Sequence, residues 1–148
     1  MTDLMTGGCQ CGQVRFEARV GDGDAYLCHC RMCQRATGSI SIAFKNLKKA
    51  DVRWTAREPD YYASSPIARR GYCAACGTPL TFDYPDSENM DLTIGSFVDP
   101  SHFVPRHHFG VESRLDHWRD TDGLPGYRAD EYQPLVDRWM DKVGKLPD

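Results

Sequence analysis

The chain has 148 residues, of which 41% are hydrophobic, and it carries a formal net charge of −3 at pH 7. This length suits one domain with a modest core, so we predict a single domain over residues 1–148. The acidic balance argues against binding to nucleic acid or to an anionic membrane surface. No stretch approaches the roughly 20 apolar residues of a membrane span.

The first predicted strand covers residues 13–20, where apolar residues alternate with polar ones, a period typical of a half-buried strand. Further strands are predicted where short apolar runs lie between Gly, Pro, Asn and Asp residues. They cover residues 25–28, 39–44, 52–55, 61–63, 68–72, 80–84, 90–94 and 107–111. Because the connections are too short for parallel crossovers, we expect antiparallel sheets.

One helix is predicted near the end of the chain, after an irregular loop at residues 119–130 that contains Gly123 and Pro125. Its apolar residues recur at helical spacing between Pro134 and Gly144: Leu135, Val136, Trp139, Met140 and Val143. The expected fold class is therefore mainly β, with antiparallel sheets and one C-terminal helix.

Seven cysteines lie in three tight groups: Cys9 and Cys11; Cys28, Cys30 and Cys33; Cys73 and Cys76. Thiolates one or two residues apart can share one Zn²⁺, but they rarely form an unstrained disulfide with each other. Their odd number, and the lack of basic residues or an apolar run at residues 1–5, argue against a secreted disulfide framework. No parallel βαβ pattern accompanies the second group, as a dithiol redox site would require. We therefore expect a cytoplasmic protein whose thiols bind metal.

Seven ligands divide naturally into four and three. Four thiolates complete a structural zinc site, whereas three leave one position for water or a substrate thiolate, so we predict two zinc ions per chain. Spacing alone leaves the grouping open, because the two Cys-x-x-Cys pairs could share one metal and leave Cys9, Cys11 and Cys28 for the other. His29 is not expected as a ligand, since in an extended segment it points away from Cys28 and Cys30.

Three segments resemble the glutathione-dependent formaldehyde-activating enzymes, a family that shares a zinc domain with centromere protein V. They are residues 8–16 (GCQCGQVRF), 28–33 (CHCRMC) and 64–80 (SSPIARRGYCAACGTPL). The resemblance implies a largely β fold wound around two zincs. It implies one site formed by Cys9, Cys11, Cys73 and Cys76, and an open, catalytic site formed by Cys28, Cys30 and Cys33.

The activity that this resemblance implies is a carbon–sulfur lyase, which adds glutathione to formaldehyde or a related small electrophile and forms S-hydroxymethylglutathione. A zinc ion with three thiolates carries a formal charge near −1, so it suits an incoming thiolate better than the activation of water. Two alternatives remain: a carrier of glutathione or its adducts, and a structural zinc module that binds a macromolecule.

Substrate contacts beyond the metal are weakly marked. The candidates for the carboxylates of glutathione are Arg31, Arg35, Arg69 and Arg70, although a surface role is commoner for an arginine. His107 and His108 could supply a general acid, but adjacent strand residues face opposite sides, so at most one addresses the site.

Overall fold

The computed structural model describes residues 4–147, in which the architecture is mainly β. The strands are β1 (Leu4–Gly8), β2 (Arg15–Arg19), β3 (Asp24–Cys28), β4 (Ile42–Lys48), β5 (Val52–Trp54), β6 (Asp60–Ala63), β7 (Arg69–Tyr72), β8 (Pro79–Asp83), β9 (Asn89–Thr93) and β10 (Val104–Phe109). The helices are α1 (Arg31–Thr37) and α2 (Gln133–Lys142), and short 3₁₀ turns occur between several elements. Residues 1–3, part of the segment that argued against a secretion leader, lie outside the described residues.

The strands form two sheets. A three-stranded sheet has the order β1-β2-β5, and a seven-stranded sheet has the order β10-β3-β4-β9-β8-β7-β6. Neighbouring strands are antiparallel except β10, which runs parallel to β3 at one edge of the larger sheet. The main core lies where β2 packs on β3, β4 and β9, and its buried members include Phe16, Ala18, Leu47 and Leu92.

The alternation predicted for the first strand is confirmed, because Val14, Phe16, Ala18 and Val20 are all at most 3% exposed. The ring of Phe16 packs edge-on against Trp54 and Phe97, with centroids 5.8 and 5.1 Å away. The mainly β class and the C-terminal helix are likewise confirmed.

Two elements were not predicted. Strand β1 has little apolar character. Its Gly7 and Gly8 are buried, and a Cβ on Gly7 would collide with the Phe16 ring. Helix α1 is only seven residues long, too short for a periodic signal.

The chain divides between Leu115 and Asp116 into two compact units. The first contains both sheets, and the second contains α2 and a 3₁₀ turn at Ala129–Glu131. The single domain over residues 1–148 therefore stays a prediction. No helix within residues 4–147 is long and apolar enough to cross a membrane.

Candidate metal centres

Four cysteines from two distant parts of the first unit come together. Cys9 and Cys11 lie in the turn between β1 and β2, and Cys73 and Cys76 lie in the turn between β7 and β8. The Sγ of Cys11 is 3.5 Å from that of Cys9 and 3.7 Å from that of Cys73, which is 62 residues away in sequence. All four Sγ atoms lie within 4.8 Å of one another. We call these residues the four-cysteine cluster.

Backbone turns hold the sulfurs of the four-cysteine cluster in place. Gly77 adopts a left-handed φ of 82°, and its N–H donates to the Cys73 carbonyl at 2.7 Å. The N–H of Val14 donates to the Cys9 Sγ at 3.3 Å. The hydroxyl and the backbone N–H of Thr78 lower the pKa of Cys76 to about 5. The donors to Cys9 and Cys76 favour the thiolate at these two sulfurs, the form that binds metal.

The three remaining cysteines form a second group on one short segment, which we call the three-cysteine cluster. The Sγ of Cys28, at the end of β3, lies 3.6 Å from that of Cys30 and 3.4 Å from that of Cys33. Cys30 caps α1, because its Sγ accepts the N–H of Cys33 at 3.3 Å. The helix ends at Thr37 and is capped by Gly38, whose φ is 71°.

The chain that follows β10 forms one wall of the three-cysteine cluster. The Phe109 carbonyl accepts the N–H of His29 at 2.9 Å. Gly110 then adopts a φ of 69°, and a Cβ at this position would lie 2.8 Å from the backbone nitrogen of Cys30. Buried Gln34 links α1 to both segments, since its side-chain amide donates hydrogen bonds to the carbonyls of His29 and Ser113 at 2.8 and 3.2 Å. The cluster is thus held from both sides.

The sulfur geometry fits zinc. Thiolates about 2.3 Å from a tetrahedral ion are about 3.8 Å apart, whereas the sulfurs of a disulfide are about 2.05 Å apart. The closest Sγ separations in the two clusters are 3.4 to 3.7 Å, and all seven thiols are free. Each cluster could therefore hold one zinc ion, with four protein ligands in the first and three in the second.

Two arginines contact cluster sulfurs, and sequence patterns singled out only one of them. Arg57 Nη2 donates to the Cys73 Sγ at 3.3 Å while Arg57 Nη1 pairs with Asp60 at 2.8 Å. Arg70, named as a candidate for a substrate carboxylate, donates from Nη2 to the Cys33 Sγ at 3.3 Å. Strand alternation contains a signal for this, because Arg69 and Arg70 must face opposite sides of β7.

The pKa values within the three-cysteine cluster follow these contacts. The hydrogen bond from Cys28, together with the guanidinium of Arg70, lowers the pKa of Cys33 to about 5, although burial opposes the shift. Donating that hydrogen bond, together with burial, raises the pKa of Cys28. Negative charge is therefore most stable on Cys33, the sulfur next to the guanidinium.

The other three candidate arginines do not reach these sulfurs. Exposed Arg31 donates to the Gln34 side chain at 2.6 Å, and Arg35 is exposed at the end of α1. Arg69 pairs with buried Asp83 at 3.0 Å and lies over the Tyr61 ring.

The histidines divide between the two faces of the sheet edge. Buried His29 points away from the sulfurs, as predicted, and its Nε2 lies 2.9 Å from Nδ1 of His108. His107 lies beside Tyr26 in the β10·β3 register, on the same face as Cys28, and its ring stacks on Tyr26 with centroids 5.0 Å apart. Of the two adjacent histidines, His107 is therefore the one on the face of the three-cysteine cluster.

A buried carboxylate lies behind this cluster, and no sequence motif marked it. Asp91 on β9 is 8% exposed and accepts hydrogen bonds from Asn46, at 3.0 Å, and from the Tyr26 hydroxyl. Burial raises the pKa of Asp91, and the nearby sulfur of Cys33 acts in the same direction. The three-cysteine cluster thus lies beside a buried polar network as well as a buried cation.

One family model and two known proteins are similar to this chain, and the residues matched by the family model lie in the first unit. A sequence model described as "Glutathione-dependent formaldehyde-activating enzyme" matches residues 4–113, which include all seven cysteines. An uncharacterized lyase of Schizosaccharomyces pombe is 32% identical over 83 residues, which are 56% of this chain and 60% of that protein. The match thus spans about three fifths of the length of that relative. A crystal structure of a Rhodobacter sphaeroides protein has a TM-score of 0.55 and 25% identity, covering 68% of this chain and 98% of the other.

Proposed function

Because the chain belongs to the family of glutathione-dependent formaldehyde-activating enzymes, we propose that it is a zinc-dependent carbon–sulfur lyase acting on adducts of a small thiol. One observation carries the proposal: a complete set of four cysteine ligands lies in the same unit as a set of three. The S. pombe relative that is described as a lyase supports the same class of reaction. We propose glutathione as the thiol and formaldehyde, or a related small aldehyde, as the electrophile.

The two clusters have different proposed roles. Cys9, Cys11, Cys73 and Cys76 would hold a structural zinc, because four thiolates leave no position for a substrate. Cys28, Cys30 and Cys33 would hold the catalytic zinc. Cys28 and Cys33 are buried, whereas Cys30 is partly exposed, so substrate would approach from the side of Cys30.

When bound by three thiolates, zinc supplies a position at which an incoming thiol is held as a nucleophilic thiolate near neutral pH. The overall reaction is an addition without oxidation or reduction. A carbon–sulfur bond forms, the C=O double bond becomes a single bond, and the thiol proton moves to the former carbonyl oxygen. In the reverse direction the carbon–sulfur bond breaks and the proton returns to sulfur.

The chain's own residues would serve this reaction by fixing the sulfurs. Capping of α1 by Cys30, and the ties that Gln34 makes to the carbonyls of His29 and Ser113, hold the ligand segment in one conformation. Preorganised ligands need no rearrangement when substrate arrives. We further propose a reducing, cytoplasmic setting, since seven free thiols would not persist in an oxidising compartment.

The test measures the rate at which glutathione and formaldehyde react with each other. The rate is compared in the presence of wild-type protein, in the presence of a Cys30→Ser variant, and without protein. Serine retains the ability to cap α1 while removing the thiolate, so the variant should fold but lose the acceleration. Met32→Leu, in the same segment but 48% exposed, is the matched control and should retain it.

The outcomes separate the candidate functions. Wild-type protein that gives no acceleration over the blank would refute the lyase. Calorimetric binding of glutathione without acceleration would then indicate a carrier, and no binding of any small thiol would leave a structural module.

A further inference from the structure

Arg70 is a buried cation that faces sulfur. The residue is 5% exposed, its Nη2 donates to the Cys33 Sγ at 3.3 Å, and its guanidinium carbon lies 4.8 Å from the centroid of the Phe82 ring. Its Nε is buried and has no hydrogen-bond acceptor among residues 4–147. A buried charge is costly unless an opposite charge compensates for it.

The compensating charge is not a carboxylate. Within residues 4–147, Arg70 forms no ion pair with Asp or Glu, whereas its neighbour Arg69 pairs with Asp83 at 3.0 Å. Arg57, which contacts the four-cysteine cluster, is exposed and shares its charge with Asp60. The negative group that Arg70 faces is the three-cysteine cluster, whose zinc form has a formal charge near −1.

A cavity beside Arg70 is too small for a tripeptide. It is lined by Thr37, Phe44, Arg70, Pro79 and other residues, and its volume is about 130 Å³. Pockets for drug-sized ligands are about 300–1,000 Å³. A whole glutathione molecule therefore does not fit beside Arg70 on this side, whereas the Cys33 sulfur lies 3.3 Å from its Nη2.

We propose that Arg70 is a positioning residue that makes the three-cysteine cluster accept a fourth, anionic sulfur. A fourth thiolate brings the formal charge of the zinc site to about −2, and a fixed positive charge against Cys33 offsets half of it. This inference rests on the proposed function, because it assumes that zinc and a substrate thiol bind at Cys28, Cys30 and Cys33.

The test measures the affinity of zinc-loaded protein for two thiols by calorimetry. Glutathione carries carboxylates, whereas 2-mercaptoethanol is charged only when its sulfur is ionised. Arg70→Met should weaken the binding of both thiols by at least about tenfold, because the incoming negative charge then loses its attraction to the guanidinium. Arg70→Lys should recover part of the affinity, and Arg69→Met, on the opposite face of β7, should leave it unchanged.

A second readout does not depend on thiol binding. In Arg70→Met, a chelator should remove zinc from the three-cysteine cluster faster than in wild type, and zinc from the four-cysteine cluster at an unchanged rate. Far-UV circular dichroism checks that each variant folds. If Arg70→Met does not fold, the same two measurements are made on Arg70→Lys.

Unchanged thiol affinity and an unchanged release rate in a folded Arg70→Met variant would overturn the inference. A loss confined to glutathione would overturn it too, because Arg70 would then bind a carboxylate. Wild-type protein that binds neither thiol would instead refute the proposed function, and the release rates would still test the role of Arg70.

Discussion

Stepwise removal of metal should separate the two clusters. Zinc in the three-cysteine cluster has one coordination position that a chelator can enter, so it should leave first while the sheets persist. Zinc in the four-cysteine cluster should leave later, and its loss should destabilise the first unit further. We expect these two steps because the clusters close loops of very different length.

The loss of stability expected at each step can be calculated from the chain entropy of loop closure. The link between Cys11 and Cys73 spans 62 residues, whereas that between Cys28 and Cys33 spans five. A cross-link stabilises by about 4 kcal/mol in the first case and about 2 kcal/mol in the second, if its effect is the closing of a loop. At roughly 2–4 °C per kcal/mol for a chain of this size, Tm should fall by about 4–8 °C in the first step and by a further ~8–16 °C in the second.

The assay adds increasing chelator to protein loaded with two zinc ions. Released zinc is measured with a metal-sensitive dye, folding by far-UV circular dichroism, and Tm on samples taken at each step. Cys30→Ser should lack the first phase and retain the second. Release of both ions in one step together with unfolding, or a larger fall in Tm for the first ion than for the second, would refute the reasoning.

Two further predictions concern the surroundings of the three-cysteine cluster. Gly110→Ala should destabilise the protein and speed zinc release from this cluster. The Cβ of the new alanine would collide with Cys30. The left-handed conformation would add a backbone cost of about 1–2 kcal/mol. Gly21→Ala, with the same φ of 69° and open space around it, should show only the backbone cost in urea unfolding. Because burial raises the pKa of Asp91 above its usual 3.8, the free energy of unfolding should fall as pH rises from about 4 through the raised pKa. Asp91→Asn should remove this component, and an identical pH profile for the variant would contradict the assignment.

Sequence patterns predicted most of the strands because their physical basis is local. Alternation at Val14, Phe16, Ala18 and Val20 identified a buried face without any knowledge of what covers it. The strand predicted at residues 39–44 overlaps β4, Ile42–Lys48, only in part. The predicted strand began too early because the chain before it forms α1 and its cap, at residues 31–38. The ends of this helix are marked by Cys30 and Gly38 and not by apolar spacing.

Contacts between distant segments were harder to predict. The parallel pairing of β10 with β3 joins residues about 80 positions apart, and the argument for antiparallel sheets considered only strands that follow one another. The grouping of the cysteines had two solutions by spacing, and family resemblance chose between them. Arg70 could be placed only after the structure showed which face of β7 is directed at Cys33.

The different spans of the two clusters also bear on how the protein is made. At roughly 5–20 residues per second, Cys73 is synthesised about 3–12 s after Cys11, because 62 residues separate them. Cys28, Cys30 and Cys33 leave the ribosome almost together. We therefore expect the nascent chain to acquire its first zinc at the three-cysteine cluster, and the structural ion only when the β7–β8 turn has emerged.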